Sequence, residues 1–81
     1  MGLSGIVWFD QGTKSIIEKI RGAIDGHTKR FGRMPQICLI SKTQFTELKT
    51  NEVEGVPIHV WSRCLENHFI VGRDNYEQAR Q

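Results

Sequence analysis

Pro35-Gln36-Ile37-Cys38-Leu39-Ile40-Ser41 sets four apolar residues in a row between a proline and a serine. A run of that length, bounded on both sides, reads as a strand buried on both faces and predicts the centre of a sheet. Gly32 and Pro35 lead into it. Ser41 ends it and caps a second helix, with Gln44 completing a capping box. Phe45 and Leu48 are the buried positions of that short helix, which fades by Thr50-Asn51.

Upstream lies a longer helical pattern. Between Thr13 and Phe31, at about 100° per residue, Ile16, Ile17, Ile20, Ala23, Ile24 and Phe31 fall within an arc of about 120°, the width of a core-facing stripe. Ser15 followed by Glu18 fits a capping box, with Thr13 as the alternative cap, and Gly32 supplies the left-handed stop. Gly22 and Gly26 share one side of this helix, so either another backbone approaches closely there or the helix is weak. Before it, Gly5-Ile6-Val7-Trp8-Phe9-Asp10 is β-branched and aromatic and reads as a first strand.

Downstream, Glu52-Val53-Glu54-Gly55 is a turn or a short edge segment. Val56-Pro57-Ile58-His59-Val60-Trp61 alternates, with Val56, Ile58 and Val60 on one face and Pro57, His59 and Trp61 on the other. Ser62 to Glu66 is a loop, and Asn67 to Gly72 returns as the last strand, so these two strands are expected to form an antiparallel hairpin. Residues 73–81 are polar apart from Tyr76 and Ala79 and read as a frayed tail. The result is one small α/β (or α+β) domain of order β-α-β-α-β-β: a mixed sheet with one long and one short helix packed on it. A right-handed first crossover makes its first two strands parallel.

The bulk numbers narrow the function classes. At 81 residues the chain is expected to be one domain, and a net charge of +2 does not demand a polyanionic partner. No apolar run approaches a membrane span, and the first residues lack the basic and apolar regions of a secretory signal. Cys38 and Cys64 therefore read as free thiols of a cytoplasmic protein that needs no cofactor.

Several groups could carry chemistry. Gly12-Thr13-Lys14-Ser15 opens a helix after a strand, a position that favours anions. Its letters are not those of a P-loop, because Thr13 separates Gly12 from Lys14. His59, Cys64 and His68 are zinc-competent, yet the paired cysteines of zinc fingers are missing, and no metal is assigned. Cys64 with His59 or His68 would make a nucleophilic pair, but no orienting third residue is evident, so an enzyme is the most distant reading and no catalytic residue is named. His27 projects from the apolar arc and reads as a core-edge histidine bonded to a carbonyl. Lys14 and Glu18, Arg21 and Asp25, and Asp25 and Lys29 stand at helical spacing as a self-neutralised face. Lys29, Arg30 and Arg33 gather at the helix C-terminus and, joined by Arg63 and Arg73, could bind phosphate. Nucleic-acid binding there is the second reading. The first is association with itself or another protein. If helices cover one face of the sheet only, an aromatic row containing Trp61, beside His59, Cys64 and His68, is left on the other.

The segment Pro35 to Gly72 also resembles a pattern in the major capsid proteins of tailed phages. In that pattern a strand with a small polar cap leads to a short helix carrying an aromatic and a leucine, followed by a Gly-x-Pro strand and an apolar strand ending in glycine. Here it reads Ile37-Cys38-Leu39-Ile40-Ser41, Phe45, Leu48, Gly55-Val56-Pro57-Ile58 and Phe69-Ile70-Val71-Gly72. The resemblance covers under half the chain. It implies a small phage- or mobile-element-encoded protein and carries over no catalytic residue.

Overall fold

A computed structural model describes residues 3–74 of the chain. Its elements are β1 (Leu3–Phe9), α1 (Ile16–Phe31), β2 (Ile37–Ile40), α2 (Lys42–Leu48), β3 (Glu52–Val53), β4 (Val56–Val60) and β5 (His68–Asp74). The five strands form one mixed sheet in the order β1-β5-β2-β4-β3. The run Ile37-Cys38-Leu39-Ile40 is its middle strand, as expected, but it is not buried on both faces as its apolar run suggests.

α1 starts where its cap chemistry places it. The Ser15 hydroxyl accepts from the Glu18 backbone N–H, and the Glu18 carboxylate accepts from the Ser15 backbone N–H, which completes the box. Gly32 ends the helix at φ 75°. Ser41 likewise caps α2 by accepting from the Gln44 N–H. The reciprocal half of that box is absent: the Gln44 side-chain oxygen accepts instead from the Asn67 N–H, at 2.7 Å.

β3 and β4 form a two-residue hairpin through Glu54 and Gly55, both at positive φ (53° and 82°). That is the turn whose twist matches paired strands, and Gly55 meets its backbone demand at little cost.

The expected hairpin between the last two strands does not form. β4 pairs with β2 in parallel, while β5 pairs antiparallel with both β1 and β2. β2 thus lies between β4 and β5 and uses both of its edges. Alternation tells which face a residue takes but is silent on which strand lies beside it. β1 and β2 do run parallel, with β5 inserted between them. β5 also extends past Gly72 to Asp74, so Arg73 and Asp74 belong to a strand and not to a tail. The rest of the expected tail, 75–81, lies outside the described residues.

Both helices pack on one face. Ile20, Ala23 and Ile24 of α1 and Leu48 of α2 join Cys38, Ile40, Val53, Val56, Ile58, Phe69 and Val71 in one buried cluster. Trp8 and Phe45 pack at its margin. β2 is consequently buried on one face only: Cys38 and Ile40 are enclosed, whereas Ile37 and Leu39 are half-buried on the other side. Phe31, expected in the core, is 43% exposed. It closes the last turn of α1 against His27, with ring centroids 4.7 Å apart, and Arg30 lies over its ring. His27 itself is buried, its Nδ1 3.0 Å from the Arg33 carbonyl oxygen, as expected of a core-edge histidine. No described helix is long and apolar enough to cross a membrane.

Candidate functional site

With both helices on one side, the opposite face of the sheet stays open. Strand alternation and register assign its occupants. Val7, Ile70, Leu39 and His59 form one row across β1, β5, β2 and β4. Phe9 and His68 form the start of the next, their rings 4.7 Å apart. Val7 is 63% exposed, Phe9 54%, Trp61 41% and Leu65 68%. Large apolar side chains on one contiguous face expose surface that water wets poorly, and such patches mark contacts with other molecules.

The loop from Trp61 to Asn67 borders this face. Trp61 donates its N–H to the Ile40 carbonyl at 3.0 Å and so extends the line of β4 beyond Val60. Val7, Trp61, Cys64, Leu65, His68 and Ile70 then line a shallow, largely apolar groove of about 190 Å³. The structure thereby brings Trp61, Cys64 and His68 to one place. His59 lies on the same face, in the row of Leu39, beside a second shallow hollow that Asn51, Glu52 and Pro57 share.

The contacts of Cys64 do not activate its thiol as a nucleophile. The Cys64 thiol donates to the His68 carbonyl oxygen at 3.1 Å, and partial burial raises its pKa, which disfavours the thiolate a nucleophile needs. The Nδ1 of His68 lies 3.0 Å from the Glu66 carbonyl oxygen and not against the thiol. Cys38 is fully buried, and its thiol is pushed up to about 12, chiefly by that burial and secondarily by Cys64. Among the described residues no three His, Cys, Asp or Glu side chains gather as metal ligands would.

The loop of Gly12, Thr13, Lys14 and Ser15 is occupied by the protein's own carboxylates. Gly12 donates its N–H to Asp10 at 2.9 Å, the Lys14 ammonium lies 3.8 Å from the same carboxylate, and Ser15 is engaged with Glu18. An incoming anion would meet Asp10 and Glu18 there. Of the helix-spaced charges, Lys29 pairs with Asp25 at 3.0 Å as expected. Arg21 reaches Glu54 at 3.2 Å instead of Asp25, tying α1 to the β3–β4 turn, and Lys14 turns to Asp10 instead of Glu18. The basic end of α1 is partly assembled. Arg73 donates to the carbonyl of Met34, the residue after Arg33, at 2.9 Å. Arg63 follows β4 and lies at the opposite end of the sheet, with Trp61 and Leu65.

One polar node was not apparent in the sequence. Lys19 is only 7% exposed, and its ammonium donates to the Asn67 side-chain oxygen at 2.9 Å. The Gln44 amide nitrogen donates to that oxygen too, at 3.1 Å, while the Asn67 N–H returns a bond to Gln44. Asn67 sits at φ 66°, a conformation that asparagine adopts more readily than most residues. The node joins α1, α2 and the start of β5. The available signal was an asparagine directly before an apolar strand, which also reads as an ordinary turn.

None of the protein-family models, curated proteins or solved structures compared with the chain matches it.

Proposed function

We propose that this protein is a non-catalytic association module that binds a second copy of itself or another protein through the open face of its sheet. The observation that carries this reading is the one-sided placement of the helices, which leaves Val7, Phe9, Trp61 and Leu65 in water. Covering such a face removes apolar surface at about 25 cal/mol per Å² before the costs of association are subtracted.

Light scattering over a concentration series tests the reading. The expected mass exceeds the 9.3 kDa of one chain and rises with concentration. Replacing Trp61 and Leu65 together by serine should lower the association constant at least tenfold, equivalent to about 1.4 kcal/mol. A single-chain mass at millimolar concentration would sink self-association.

Nucleic acid bound at the basic end of α1 is the second reading, and the anchoring of Arg73 on Met34, just past that end, favours it. Lys29 is already paired with Asp25, which weakens it. A low-salt mobility-shift assay with random DNA and RNA is the direct check, and a shift abolished by Arg30→Ala with Arg33→Ala would establish it.

A further inference from the structure

The sheet ends differently at its two edges. β3 offers only two residues, is followed by a tight turn, and lies against Pro57. These are the usual means of blunting an edge against unwanted pairing. β1 offers seven residues, Leu3-Ser4-Gly5-Ile6-Val7-Trp8-Phe9, with no charge, no proline and no break in its register with β5. Among the described residues nothing pairs with its outer side.

The hydrogen-bond parity of β1 is fixed by two contacts. Asp10 donates its N–H to the Asn67 carbonyl at 3.0 Å, so the pairs in register with it, Trp8 with Phe69 and Ile6 with Val71, are those bonded between β1 and β5. Gly72, the partner of Gly5, turns its carbonyl toward Gln36, on the β2 side. Both place the N–H and C=O groups of Gly5, Val7 and Phe9 on the outer edge. The same three residues stand on the open face, so the free backbone edge and the apolar patch are continuous.

The occupant that fits is the same strand from a second copy. An antiparallel pair about a two-fold axis brings each residue of one strand against a residue of its twin, and β1 contains no charge to be set against itself. With the axis at Val7, Val7 faces Val7 and Phe9 faces Gly5. Gly5 can take no side chain, because a Cβ there would meet the Val71 carbonyl and lie 2.5 Å from the Gly72 Cα. The exposed Phe9 ring of each copy thus lies beside a bare position on the other.

We propose that β1 is the seam of a two-fold homodimer, paired antiparallel about Val7, with Phe9 of each copy set against Gly5 of the other. This rests on the self-association in the reading above and moves the contact between copies from the open face to the strand edge that adjoins it. The two five-stranded sheets become one, and the two open faces form a single platform.

Cysteine cross-linking and light scattering on the full chain test it. At the axis, the Cα atoms of a hydrogen-bonded antiparallel pair stand about 5.5 Å apart, within disulfide range. With Cys64→Ser as background, Val7→Cys should form a disulfide-linked dimer under mild oxidation, and Leu65→Cys should do so far more slowly. Val7→Pro removes an outward N–H that β5 does not use. It should shift the mass to one chain while far-ultraviolet circular dichroism stays that of the folded protein. If Val7→Pro proves unfolded, the cross-linking result decides alone. Association that survives Val7→Pro but is lost on changing Trp61 and Leu65 to serine would overturn the seam while leaving self-association intact. A wild-type chain that is monomeric throughout would overturn both.

Discussion

Gly22 and Gly26 look equivalent in the sequence and are not equivalent in the fold. The Trp8 indole lies across both, with its atoms 3.6 Å or more from where a Gly22 Cβ would stand but 2.5 Å from that of Gly26. A ring and not a second backbone is what the helix admits. Gly22→Ala should therefore be neutral or stabilise by up to about 1 kcal/mol through helix propensity. Gly26→Ala should cost about 1–3 kcal/mol by forcing the indole aside. Urea unfolding of the two variants measures both, and equal stabilities would show that Trp8 yields freely. Cys38 supplies a second expectation at this scale. Its pKa is raised by burial from 9.0 to about 12. A group raised on folding stabilises fully below its unfolded pKa, and its contribution is lost as pH climbs from 9.0 toward 12, because the unfolded chain ionises first. At about pH 10.5 that loss is about 2 kcal/mol. Cys38→Val should lack this increment, so the stability difference between wild type and variant should shift between about pH 8 and about pH 10.5. An unchanged difference would mean that the thiol does not govern the alkaline limb.

The elements are joined by polar contacts as well as by the core. Asn67 links the start of β5 to Lys19 on α1 and to Gln44 on α2, and its backbone holds Asp10 at the end of β1. Asn67→Ala removes the acceptor that two buried donors share and meets an unfavourable φ, so it should cost about 2–3 kcal/mol. Asn67→Gly restores only the backbone freedom and should recover a minor part. Thermal unfolding of the two variants separates these contributions, and full recovery in the glycine variant would assign the whole effect to the backbone. The caps of both helices, the αL stop at Gly32 and the strand character of β1, β2, β4 and β5 could be read locally, because each depends on residues within a few positions. The neighbours of β5 could not. A loop of polar residues between two alternating runs suggests a hairpin, yet β2 is apolar enough to claim both β4 and β5.

For the molecule as a whole, the decisive fact is which side the helices take. α1 crosses from β1 to β2 and α2 from β2 toward β4, and both settle on the face of Phe69 and Val71. The other face keeps Val7, Phe9, Trp61 and Leu65 exposed. Of the candidate residues, His59 and Trp61 reach this face as the alternation of β4 suggested, while the fold brings Cys64 and His68 to it. Val7, Phe9 and Leu65 were missed. The first two sit in a strand whose two faces look almost equally apolar, and Leu65 sits in a loop, where a lone leucine carries no periodicity. Loss of association on changing Trp61 and Leu65, and its dependence on the β1 edge, are the outcomes that would join this surface to a function.

The order of strands and helices, the Ser41 cap of α2, the Gly32 stop and the central place of Ile37 to Ile40 were all legible along the chain. Each of these follows from spacing, capping or local hydrophobicity along the chain. Long-range packing alone sets β5 between β1 and β2, Trp8 in the Gly22–Gly26 notch and Lys19 on Asn67, and among the described residues it leaves one face of the sheet and the edge of β1 open. Those outcomes depend on which distant surfaces bury one another, and a one-dimensional pattern records that a residue is apolar without recording what will cover it.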